Sequence, residues 1–133
     1  MDQKLKTLQT IHLALVMGIV IAYFVLLDKN FIINFKFPKI EGEAIVFAII
    51  PVVAILLGNF LFNKTISKVD SRLSVEEKFT TFQTASIIRW AVLEGAAFLI
   101  LILKPELFIF GILLLIYFII TRPSENQVRN YLS

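Results

Sequence analysis

Four apolar runs, at about residues 8–27, 44–62, 79–103 and 106–121, dominate this sequence and leave it very few possible folds. The first, LQTIHLALVMGIVIAYFVLL, is long enough as a helix, at about 1.5 Å per residue, to cross a hydrocarbon core of about 30 Å. Hydrocarbon offers a peptide group no hydrogen-bond partner, so a crossing segment must satisfy its own backbone, as a helix does. Composition agrees: 58% of the 133 residues are hydrophobic, and the 17% that are charged fall mostly between the runs. The expected fold is therefore all-α: one polytopic membrane domain over residues 1–133, with four transmembrane helices.

The connections carry the stop and start signals. Lys4 and Lys6 before the first run resemble the start of a signal peptide, but no small-residue cleavage pattern precedes Asp28, so the run is expected to stay as an anchor, with Tyr23 and Phe24 at the interface. Residues 28–43, with their aromatics and Pro38, are expected to form an extended or interfacial segment on the headgroups and not a fifth span. In the second run Pro51 removes a backbone donor and should kink the helix. Ala54 and Gly58 form a small-xxx-small pair that lets another helix approach closely. Ser74 and Glu77 make a capping box that starts the third helix, and Lys104-Pro105-Glu106 ends it in a tight turn. Arg122 and Pro123 close the fourth run, leaving SENQVRNYLS as a polar tail.

Basic residues outside the runs are distributed unequally. Lys4, Lys6, Lys64, Lys68, Arg72, Lys78, Arg122 and Arg129 lie on one side, and Lys29, Lys36, Lys39 and Lys104 on the other. Eight against four places both termini in the cytoplasm, and the expected location is the inner membrane of a bacterium. Because the cations flank membrane segments, the net charge of +3 points to the lipid bilayer and not to nucleic acid as a partner. With no cysteine and a single histidine, His12, the sequence offers neither thiol chemistry nor a His or Cys cluster for a metal, and no cofactor is expected. His12 itself reads as an interfacial histidine.

The third run holds what the others lack, Arg89 and Glu94. A charge at the centre of a membrane helix costs roughly 2.5–3.5 kcal/mol on insertion scales, so it needs a reason. Counting back from Lys104, Glu94 lies about 15 Å inside the outer end, near the midplane, while Arg89 is one and a half turns closer to the cytoplasm and could snorkel toward it. The two are about 140° apart around the helix, so they do not neutralise each other as an i,i+4 pair would. Glu94 must find a partner elsewhere or carry a proton. Gln83, Trp90, Glu94 and Ala97 share one stripe, with Ala91 and Gly95 beside it. Such small residues admit a second helix or subunit close to the carboxyl.

The stretch RWAVLEGAAFLILIL resembles the carboxyl-bearing helix of the rotary ATPase proteolipid (c-type) subunits, and residues 44–103 resemble their hairpin. That resemblance implies a proton- or sodium-translocating subunit with Glu94 as the ion-exchanging carboxyl. The residues themselves favour a non-catalytic accessory or assembly subunit of a larger membrane complex. In that reading Glu94, Arg89 and Gln83 make inter-helix or inter-subunit polar contacts, and the partners are other membrane subunits or a second copy. No enzymatic activity is expected, since no nucleotide loop, triad or acid pair is present.

Overall fold

The computed structural model describes residues 2–70 and 72–132, which contain helices and no strand. In chain order these are α1 (Asp2–Leu26), α2 (Lys29–Ile33), α3 (Glu43–Ile66), α4 (Val75–Leu103), a 3-10 turn (Pro105–Leu107), α5 (Phe108–Ile120) and α6 (Glu125–Leu132). Three of them, α1, α3 and α4, are long and apolar enough to cross a membrane. There are four if α5 with its 3-10 turn, and α6 bent from it by 70°, count as one broken element.

The element boundaries follow local chemistry. At the start of α4 the Ser74 hydroxyl accepts the Glu77 amide at 3.2 Å, which satisfies one of the donors that every helix N-terminus leaves open. The helix stops at Lys104, just before Pro105. The Lys104 ammonium then reaches Glu43 at 2.6 Å and Glu106 at 3.6 Å, tying the start of α3 to the end of α4. The bond to Lys104 holds the Glu43 carboxyl below the usual carboxylate range, and the same bond pushes the Lys104 ammonium up. Both groups face solvent, so this clasp fixes geometry more than it adds stability.

Gly42, with φ of 61°, starts α3 in a left-handed conformation that a side chain would strain. From there α3 runs unbroken through Pro51, which is buried. The segment after α1 is part helix and part extended. The Asp28 side chain accepts the Asn30 amide at 2.9 Å and caps the short α2 before the chain straightens toward Pro38. Phe35 then folds back to within 5.3 Å of the Phe108 ring.

The expected polar tail is also a helix. Pro123 ends α5, the Ser124 hydroxyl accepts the Gln127 amide at 3.2 Å, and α6 turns back across the bundle. Its Tyr131 ring packs against Phe62 at 5.8 Å and Phe82 at 5.2 Å, and Val128 is fully buried. Two apolar residues a turn apart were enough to fix it there.

Helix α4 is the centre, with α1, α3, α5 and α6 all packed against it. Its buried residues recur every three or four positions: Phe79, Phe82, Ser86, Arg89 with Trp90, Leu93, Ala97 and Ile100. On α1 the matching stripe is Leu5, Leu8, His12, Val16, Ile19 and Tyr23, and Leu27 just past its end continues it. The outside is apolar as well. Leu13, Ile21 and Phe24 on α1, Val52 and Leu56 on α3, Ile102 on α4 and Ile120 on α5 are all exposed. A surface this apolar on several sides is unstable in water and suits hydrocarbon.

Candidate functional site

Arg89 and Glu94 lie in different surroundings, as their angular offset implies. Arg89 points into the bundle and is only 9% exposed. Its side chain runs along α3 from Gly58 toward Phe62. Gly58 faces it across the helix contact, where a Cβ would sit 3.2 Å from the Arg89 Cγ. The guanidinium carbon then lies 4.2 Å from the centroid of the Phe62 ring, a cation–π arrangement. Among the described residues no acid pairs with it, and its Nε is buried without a hydrogen-bond partner.

Glu94 sits four residues after the fully buried Trp90, about 40° further around the helix. That puts it at the margin of the packed face, half-buried, with no ion pair or hydrogen bond among the described residues. Beyond it, Ala91 and Gly95 are exposed, and a Cβ at Gly95 would meet nothing within 4 Å. The small residues on this side therefore pack against no helix of their own chain. Gln83, also half-buried, lies about 20° from Glu94 in helical phase, three turns nearer the start of α4. Of the stripe expected to include Glu94, Trp90 and Ala97 are buried inside the bundle, while Gln83 and Glu94 lie at its margin.

Two polar residues near the ends of the first apolar run, His12 and Tyr23, are buried inside the bundle. His12 is 3% exposed, and its Nε2 lies 2.7 Å from the Phe118 carbonyl of α5. This carbonyl lies in the last turn of α5, where it also accepts the Thr121 amide at 3.1 Å and the Thr121 hydroxyl at 2.6 Å. A carbonyl can only accept, so Nε2 carries the hydrogen and donates it. The His12 ring also packs against Trp90 at 5.0 Å and against Phe118 at 5.2 Å.

Tyr23 is the second. Its hydroxyl donates to the Ala97 carbonyl of α4 at 2.6 Å, and its ring crosses Gly111 of α5. A Cβ at Gly111 would fall 1.8 Å from that hydroxyl, so only glycine leaves the space. On α5, Tyr117 donates to Asn59 of α3 at 3.1 Å. Each of these bonds joins two helices through one polar group in an apolar interior. Among the described residues, no three His, Asp or Glu side chains come together to hold a metal.

Among the described residues the geometry defines an all-helical bundle with polar fastenings inside, an apolar exterior, and the Glu94 carboxyl without an ion pair or hydrogen bond at its margin. Compared with models of known families, with curated proteins and with solved structures, the chain matches none.

Proposed function

We propose that this chain is a four-helix protein of the bacterial inner membrane, with both termini cytoplasmic, acting as a non-catalytic accessory or assembly subunit of a larger membrane complex. The apolar exterior and the excess of Lys and Arg on one side support that placement. From Pro105 to Ile120 the fourth span is short, about 24 Å at helical rise, and α6 would lie along the cytoplasmic boundary.

One observation carries the assembly role: Glu94 has no partner among the described residues and stands beside the open Ala91 and Gly95. Near mid-membrane neither water nor a long stem relieves a carboxyl. A helix from a neighbouring subunit or a second copy can close on the small residues and hydrogen-bond it. Arg89 and Gly58 have a different task, fastening α3 to α4 within the chain. The same outward carboxyl also suits the second reading, proton or sodium translocation, which the proteolipid-like stretch favours.

Substitution at Glu94 separates the two. Glu94→Gln keeps a hydrogen-bonding head and is expected to retain the partner on purification from membranes. Glu94→Leu is expected to weaken association roughly tenfold, as one intramembrane hydrogen bond of about 1–2 kcal/mol implies, while leaving the subunit folded. If Glu94→Gln assembles normally yet abolishes proton or sodium flux in proteoliposomes, translocation replaces assembly.

A further inference from the structure

The end of the bundle that carries Lys6 and Arg122 has a second feature, apart from Glu94. A cavity of about 660 Å³ opens there between α1 and α5. Lys6 and Arg122 line it, both exposed and neither in an ion pair among the described residues. No acidic residue lines it. Further along, its walls are Leu13 and Val16 of α1 and Ile119 of α5, with His12 between the polar and apolar parts. The Gln9 amide donates to the Pro123 carbonyl at 2.8 Å, which fixes the two helix ends on either side of the opening.

We propose that this groove binds an anionic phospholipid, with the headgroup phosphate between Lys6 and Arg122 and an acyl chain along Leu13, Val16 and Ile119. The polarity gradient is the reason. A soluble phosphate would use the two cations and leave the apolar wall unused. A neutral lipid would use the wall and leave two cations unpaired at the membrane surface, where each attracts anionic headgroups. From Lys6 to Val16 the groove runs about 15 Å at helical rise, enough for much of an acyl chain. A head of fixed charge and a tail of fixed direction together match a lipid and no smaller anion. The proposal rests on the bilayer placement above, but not on the role of Glu94.

Native mass spectrometry of the purified full chain in detergent tests it, with phosphatidylglycerol, phosphatidylcholine or inorganic phosphate added at equal concentration. Phosphatidylglycerol is expected to stay bound on the order of tenfold more than phosphatidylcholine, from two cations near the surface. The double variant Lys6→Gln, Arg122→Gln should remove that preference. Lys64→Gln, Lys68→Gln, with the same charge change on the α3 side, should retain it. Equal retention of the two lipids, a preference that survives the double variant, or an equal loss in the control pair overturns the site. Phosphate that displaces phosphatidylglycerol at matched concentration overturns the lipid in favour of a free anion. Recovery of the wild-type chain from the soluble fraction without detergent refutes the bilayer placement, a separate failure from any of these.

Discussion

Gly111→Ala is expected to lower the stability of the bundle by about 2–4 kcal/mol, although it adds a single methyl group to an apolar helix. Overpacking a filled interior costs typically 1–3 kcal/mol, and losing a buried hydrogen bond about 1 more. Both apply here. The new carbon would lie 1.8 Å from the Tyr23 hydroxyl and 2.6 Å from its Cζ. Tyr23 is 8% exposed, and to move aside it must leave the Ala97 carbonyl, 2.6 Å from its hydroxyl. Three helices meet at that point, so the displacement would loosen α1, α4 and α5 together. Thermal unfolding in detergent reads the loss. In a Tyr23→Phe background, where the nearest clashing atom is gone, the same substitution is expected to cost clearly less. Equal cost in both backgrounds would mean that Gly111 makes room for something other than the tyrosine.

Arg89 is expected to give opposite results when shortened and when neutralised. Arg89→Ala removes a stem packed against Gly58 and a group stacked on Phe62, leaving a cavity and a loss of about 2–4 kcal/mol. Arg89→Met keeps most of the stem and removes a charge that has no counter-ion in the bundle. Replacing buried charge by an apolar residue of similar volume is often neutral or stabilising by 1–4 kcal/mol, and the cation–π contact offsets only part of that gain. Arg89→Met should therefore be at least as stable as the parent and should keep its partners, because Arg89 faces inward. If Met destabilises as much as Ala, the charge on Phe62 is itself what holds α3 to α4.

Much of the architecture was legible in the residues. Ser74, Glu77 and the Lys104-Pro105 stop set the ends of α4, and run length located α1 and α3. The interior polar contacts were not legible, for a reason specific to membrane helices. In a soluble helix the apolar face marks the inside, but here the outside is equally apolar, so the buried stripe of α1 has no contrast. His12 and Tyr23 do fall on the three-and-four spacing of Leu8, Val16 and Ile19, which is the signal that would have placed them inside. Their acceptors could not have been found this way. The Phe118 carbonyl belongs to the last turn of another helix, and Tyr23 fits only because residue 111 is glycine. The tail was misread because only three of its ten residues, Val128, Tyr131 and Leu132, are apolar. For Arg89 and Glu94 the 140° offset already separated inward from outward, though not which of the two would be enclosed.

The outward face of α4 can be tested directly, because the chain has no cysteine of its own. A single Gly95→Cys, labelled in native membranes with a benzophenone maleimide and irradiated, is expected to yield a discrete protein adduct, either a second copy or another subunit. Adding Glu94→Leu should cut that adduct roughly tenfold, and Leu56→Cys on the exposed side of α3 should yield lipid adducts only. Lipid adducts alone from Gly95→Cys, or a protein adduct undiminished without the carboxyl, would contradict a partner helix docked at Glu94.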